Sequence, residues 1–215
     1  MRREVRSREI RRKIVDATND LIWEKGYQQT TVREITKKAG VNTGTLYHFF
    51  HDKEEILLVL AAKAYNNMIE VAEQMTQFEH DKILTFMLIR ALEFRMWEKY
   101  PNASAIARDM YESWRITKRV MPMDIERNKI YFRQYTKAFT DQDYYVTTLA
   151  SRGIRFSFAT ECHREGATAF KKKWPLMIKA EFRMLNVPQA IIEKNLRKVQ
   201  KLLNKKSISI RGLKL

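Results

Sequence analysis

Cysteine, proline and glycine are all scarce in this chain, with one Cys, four Pro and six Gly in 215 residues. A single cysteine, Cys162, excludes an internal disulfide, and so few Gly and Pro leave little material for hairpin turns or linkers. No alternation of apolar and polar residues runs long enough for a useful strand, and no internal repeat is present, so the chain reads as all-α. A signal-peptide pattern and an apolar run of spanning length are both missing, which points to a reducing cytoplasm and away from a membrane.

Patterns that carry catalysis are missing too. There is no glycine-rich phosphate loop, zinc-ligand spacing or triad signature. Glu161-Cys162-His163 with Glu165 is the best case for an enzyme. Only Glu161 and Glu165 have the i, i+4 spacing of one helix face, whereas Cys162 and His163 point about 100° apart. The reading is no enzyme, no catalytic residue, no metal and no cofactor, with Cys162 a small buried hydrophobe.

Acids are the minority charge, 25 against 41 Lys and Arg, for a net charge of +16. Residues 1–13 carry seven Lys or Arg against two acids, and residues 194–215 carry eight against none, so most of the excess sits at the two ends. Such an excess attracts a polyanion, either nucleic acid or an anionic membrane surface. The run from Lys205 to Leu215 reads as a disordered basic tail.

Helical periodicity organises the rest. Ile10, Ile14, Ala17, Leu21 and Ile22 form an apolar stripe closed by Gly26. Thr31-Val-Arg-Glu34 has capping-box spacing and opens a second helix, with Val32, Ile35 and Ala39 inward and Gly40 ending it. Asn42 caps a third helix over Thr43 to Phe50, and Asp52-Lys-Glu-Glu55 is a second capping box opening a fourth that runs to about Phe78. Beyond it the pattern predicts helices over Asp81–Tyr100, Ala103–Ile116, Met123–Thr140, Tyr144–Arg164, an ill-defined piece near Ala167–Leu185 split or kinked by Pro175, and Pro188–Asn204.

The stretch AGVNTGTLYHFF, residues 39–50, carries the functional content. At 100° per residue from Thr43, the residues Thr43, Tyr47, Gly44, His48 and Thr45 occupy the arc from roughly 0° to 200°, and Phe49, Leu46 and Phe50 the arc from roughly 240° to 340°. One side is core; the other is small, polar and aromatic. A two-turn helix spends its outward face on poor helix formers only if something approaches closely, and hydroxyls beside a helix N-terminus suit phosphates and base edges. Two short helices joined by a glycine turn, the second exposed at its N-terminal end, form the helix-turn-helix arrangement.

Here TTVREITKKAGVNTGTLYHFFHDKEEIL, Thr30 to Leu57, resembles the DNA-binding signature of the TetR family of bacterial transcriptional regulators, and Ile14 to Tyr27 agrees as that family's first helix. The resemblance implies that Thr31 and Arg33 touch phosphates, that Thr43, Gly44 and Thr45 face the groove, that Tyr47 and His48 meet base edges or backbone, and that Lys53 clamps a phosphate. Phe49 sits on the apolar arc and is assigned to packing. Two positions depart from the pattern. Thr36 stands where the family commonly has Ala, and is expected to back-bond to a carbonyl; His51 replaces a frequent Pro or Gly.

The resemblance further implies an N-terminal helix-turn-helix domain over residues 1–52 with a basic arm, followed by a larger helical effector-binding and dimerisation domain over 53–215. The protein would be a homodimer on double-stranded operator DNA, acting as a repressor released by a small, mainly hydrophobic effector. Candidate pocket residues lie in the apolar stripes: Phe86, Met87, Arg90, Phe94, Trp97, Met110, Trp114, Tyr131, Tyr135, Tyr145, Phe156 and Phe158. Arg152 and Arg155 flank Gly153 in an otherwise apolar helix, and an inward guanidinium needs an anion, whether an effector carboxylate or Glu161, Glu165 or a surface acid. Ala150, Ser151, Gly153, Ser157 and Ala159, with the stripes Ile178–Leu185 and Ile191 to Leu203, supply a dimer seam. The fourth helix, joining head to body, is the expected lever. The rivals are a sequence-independent DNA- or membrane-surface-binding basic protein and, behind it, a helical enzyme.

Overall fold

The computed structural model describes residues 2–76, 81–165, 173–205, 208–210 and 213–214. It is built of helices, with contacts that cluster into two compact units, Met1–Tyr65 and Asn66–Leu215. The division falls inside the fourth helix, because Ile56, Val59 and Leu60 of its first turns belong to the core of the first unit.

In the first unit, α1 spans Arg2–Lys25, α2 Val32–Ala39, α3 Thr43–Phe49, and α4 Lys53–Thr76. Ile14, Ile35, Leu46, Phe50 and Ile56 form its centre, with Val32, Ala39 and Phe49 packed against them. The basic N-terminal segment is a continuation of α1 and not an extended arm: nothing breaks the helix before Gly26, and Glu9 pairs with Lys13 one turn on at 3.4 Å. Gly26 and Gly40 stop α1 and α2 with φ of 88° and 66°, a region that costs a side chain strain.

Both capping boxes form, with a variation. Thr31 accepts from the Glu34 amide at 3.3 Å, and Glu34 accepts from the Thr31 amide at 3.0 Å. Asp52 accepts from the Glu55 amide at 2.7 Å, but the return bond to Glu55 comes from the amide of His51 at 2.8 Å. Thr36 bonds back to the Arg33 carbonyl at 3.0 Å. That hydroxyl is satisfied within its own turn, so it fits a seam that an alanine would otherwise fill.

The second unit holds α5 (Lys82–Lys99), α6 (Pro101–Glu112), α7 (Trp114–Phe132), α8 (Asp141–Glu165), α9 (Trp174–Met184) and α10 (Gln189–Lys205). Helix α8 packs against α6, α7 and α9, and α5 is buried along most of its length. Three expected boundaries move. Pro101 ends α5 and also starts α6, since a proline at the first turn sacrifices an amide that has no partner there. Ser113, accepting from the Ile116 amide at 3.3 Å, caps a new helix that carries Pro122 inside it, where one helix over Met123–Thr140 was expected. Thr140 and Asp143 form a third capping box, so α8 begins at Asp141.

Pro175 lies in the first turn of α9 and kinks nothing. The part of the expected Ala167–Leu185 piece before Lys173 falls outside the described residues, as do residues 77–80. The C-terminal tail, expected to be disordered, pairs Ser209 with Lys214 and Ile210 with Leu213 in a two-residue antiparallel ladder. The seam residues also change role. Ile178, Ile192, Leu196, Val199 and Leu203 are buried inside the single chain, as are Ser151 and Ala159. Among the residues left exposed on α8 are Val146, Leu149, Ala150, Gly153 and Ser157, spaced as one helix face.

Candidate nucleic-acid interface and buried polar cluster

Helix α3 is held from behind and bare in front. Leu46 and Phe50 are fully buried, the Asn42 side chain accepts from the Thr45 amide at 2.7 Å, and the Arg11 guanidinium covers the Phe50 ring at 4.9 Å. On the outward side Thr43, Gly44, Tyr47 and His48 are exposed and Thr45 is half-buried, with Tyr47 at 50% exposure despite its size. An aromatic ring left that far in water is accessible to another molecule.

Gly44 leaves the backbone bare on the same face. Its φ is not positive, and a Cβ there would meet only Asn42 Oδ1, at 3.4 Å, an ordinary contact. The fold of the described residues would accept alanine at this position, so the bare backbone is not a requirement of α3 itself.

Thr31 and Arg33 lie exposed at the start of α2. Glu34 beside them pairs with Lys25, and this bond together with those from Thr31 holds its carboxyl at about 2. Lys38 reaches Asp20 at 3.5 Å. Lys53 is placed differently from the other predicted phosphate contacts. Its ammonium donates to the carbonyls of Tyr27 and Thr30, each at 2.8 Å, and sits 4.1 Å from the centre of the Tyr27 ring. It fastens the start of α4 to the α1–α2 turn, a positioning role that sequence spacing alone did not suggest.

In the second unit the pocket candidates divide. Phe86, Arg90, Phe94, Trp97, Arg152 and Arg155 are buried. Trp114 and Tyr145 are 50% and 37% exposed, so they do not line an enclosed pocket, and the Lys118 ammonium lies over the Trp114 ring. Tyr131 packs on Phe86 at 4.9 Å and, with Tyr135, borders an open groove of about 1090 Å³ that also takes in Asp81, Phe139 and Lys194. Met110 and Phe156 are half-buried. Met87 is buried in the α5 core; Phe158 packs on Phe94 at 6.1 Å and lines a smaller hollow of about 230 Å³.

Arg90, Arg152 and Arg155 meet in one buried polar cluster. Arg127 donates to Asp124 at 2.6 Å; Arg90 donates to Glu93 at 2.8 Å, and the Tyr111 hydroxyl to the same carboxylate at 2.7 Å. Arg152 reaches Asp124 at 3.3 Å and Thr117 at 3.2 Å, while Arg155 reaches the Ser151 carbonyl at 3.3 Å and Glu181 at 3.7 Å. Among the described residues the acidic partners come from α5, α7 and α9 rather than from Glu161, and the side chain of Glu165 lies outside the described residues. Burial works against the charged form of Glu93 and Asp124, but the surrounding guanidiniums outweigh it and hold both carboxyls low. For Glu181 burial wins, and its carboxyl is pushed up. Burial also raises Tyr111 and pushes the Cys162 thiol up to about 12, which keeps that sulfur protonated at neutral pH.

The helix-turn-helix of the first unit is also what the comparisons with known proteins pick out. Residues 14–60 match the model of bacterial regulatory proteins, tetR family. The fatty acid metabolism regulator protein of Bacillus subtilis (strain 168) is 43% identical over 61 residues, 28% of this chain and 31% of that protein, so the likeness spans about a third of the relative. Over nearly the whole chain the fold is similar to that of RolR in complex with resorcinol, with a TM-score of 0.66 at 18% identity, covering 96% of this chain and 99% of that one. A gamma-butyrolactone receptor described as ArpA-like follows with a TM-score of 0.51 at 16% identity, covering 94% and 100%. Residues 14–60 thus carry the DNA-binding segment shared by the bacterial regulatory proteins of the tetR family.

Proposed function

We propose that the protein is a ligand-responsive transcriptional repressor in the cytoplasm, binding a palindromic operator as a homodimer and released by a small organic effector held in the second unit. The observation that carries this reading is the outward face of α3, where uncharged groups at Thr43, Gly44, Thr45 and Tyr47 stand on a fully formed core. Electrostatic binding to any duplex needs only cations, whereas hydroxyl and aromatic groups beside a bare backbone suit base edges in the major groove. Two such helices related by a two-fold axis would read half-sites about 34 Å apart. Arg33 and the exposed arginines of α1 would add phosphate contacts that weaken with salt.

For the dimer, the exposed face of α8 running from Val146 through Leu149, Ala150 and Gly153 to Ser157 is the surface of choice, since small residues allow close helix approach. An effector in the second unit draws support from the fold shared with a protein whose crystal holds resorcinol and with a gamma-butyrolactone receptor. Differential affinity of that effector for two arrangements of the dimer would change the half-site separation, with α4, continuous from Lys53 to Thr76, as the element that transmits it.

Selection of bound fragments from random duplexes tests the reading. A mirrored sequence should emerge, bound at least a hundredfold tighter than unrelated DNA in physiological salt. Replacing Thr45 and Tyr47 together with alanine should abolish that preference while leaving weak, salt-sensitive attachment to any duplex. No enriched sequence would instead favour the sequence-independent basic protein.

A further inference from the structure

Resting on the regulator reading, we infer that the effector is an aromatic monocarboxylate whose carboxylate is taken by Arg152 and Arg155 beside the Tyr111 ring. The balance of charge in the buried cluster is the starting point. Among the described residues four guanidiniums, of Arg90, Arg127, Arg152 and Arg155, meet three carboxylates, of Glu93, Asp124 and Glu181. Two of the carboxylates already have short bonds, Asp124 to Arg127 at 2.6 Å and Glu93 to Arg90 and Tyr111 at 2.8 and 2.7 Å.

Arg152 and Arg155 take what remains, at longer range. Among the described residues neither has a polar contact shorter than 3.2 Å, and Arg152 Nε has no hydrogen-bond partner. Both side chains are more than nine-tenths buried. Charge-assisted bonds between a guanidinium and a carboxylate close to about 2.7–2.9 Å when the partner is free to seat itself, so the acids of this chain hold these two cations at longer range than a seated carboxylate would. Four guanidiniums against three carboxylates leave one positive charge in excess among these residues. One added carboxylate corrects it. A neutral ligand does not.

The apolar half of the ligand is indicated by the side chains beside the two cations. Both guanidiniums lie over the ring of Tyr111, at 5.1 and 5.2 Å, and Tyr111 continues edge to face into Trp97 at 6.2 Å, with Phe94 a further 5.5 Å on. A flat ring with a carboxylate at its edge matches a row of aromatic side chains ending in two cations.

Calorimetric titration of the full-length protein with benzoate, phenylacetate and cinnamate, each compared with its primary amide at pH 7, tests this assignment. At least one acid should bind at least tenfold more tightly than its amide. Arg152→Met should weaken that acid at least tenfold while leaving the unfolding midpoint of the unliganded protein unchanged or raised, since Asp124 keeps Arg127. Equal binding of acids and amides, no binding of any acid, or undiminished acid binding by Arg152→Met overturns the inference; the acid–amide comparison uses the unaltered protein and decides even where the variant does not fold. If no acid binds but an operator is still selected, the effector assignment alone fails. If acids bind and no operator is selected, the regulator reading fails.

Discussion

Replacing Gly44 with alanine separates what the fold needs from what a bound duplex would need. Gly44 is the second residue of α3, its backbone is not in the left-handed region, and a methyl there would touch only Asn42 Oδ1 at 3.4 Å. Glycine costs a helix about 0.5–1 kcal/mol relative to alanine, and an exposed position near the N-terminus sits at the lower end. The variant should therefore be as stable as the parent or more so by about 0.5 kcal/mol, which is roughly 1–2 °C in unfolding midpoint for a chain of this length. On DNA the sign reverses. A methyl between α3 and the groove holds the Thr43 and Thr45 hydroxyls away from their partners, at about 1–3 kcal/mol for each good base-edge bond that fails to form, or roughly fivefold to 150-fold in affinity. Urea unfolding measures the first quantity, and anisotropy titration of a labelled operator at fixed salt the second. A drop in stability larger than about 0.5 kcal/mol would mean that α3 itself requires the glycine; an unchanged affinity would mean that nothing approaches this face.

Two further substitutions bear on the head alone. Lys53→Met keeps the length of the side chain but removes the bonds to the Tyr27 and Thr30 carbonyls and the cation's contact with the Tyr27 ring, and should lower stability in urea by about 1–3 kcal/mol; a variant of parental stability would return Lys53 to the role of a phosphate clamp. Glu34 has a carboxyl depressed from 4.5 to about 2, so its contribution is present above the unfolded value and is lost as pH falls through the folded one. Stability of Glu34→Gln should accordingly fall less steeply than that of the parent between about pH 4.5 and pH 2, as followed by circular dichroism; identical slopes would show that the bonds from Lys25 and Thr31 do not persist in solution.

Much of the head could be read from the chain because its determinants are local. The capping boxes at Thr31 and Asp52, the glycine stops at 26 and 40, and the division of α3 into an apolar and a polar arc all involve residues within one or two turns of each other. The body was less legible. Ser113 and Thr140 are capping residues that apolar periodicity conceals, because the pattern runs straight through them, although Thr140-x-x-Asp143 has the spacing of a capping box. Pro122 lies inside α7, where a proline costs an intrahelical bond.

The amino-acid sequence by itself determined the helical class, the helix-turn-helix and the outward face of α3, since periodicity and capping act over a few residues and need no knowledge of the rest of the chain. It also singled out Arg152 and Arg155 as cations in an apolar helix. Tertiary structure alone decided their partners, because Asp124 and Thr117 lie 28 and 35 positions from Arg152 and Glu181 comes from α9. It likewise decided that the apolar stripes of α9 and α10 are spent inside one chain and that Lys53 holds two backbone carbonyls 26 and 23 positions away. Which charges meet in a low-dielectric interior depends on how helices stack, and helix stacking is fixed by the packing of many side chains at once, a property that no local window of sequence contains.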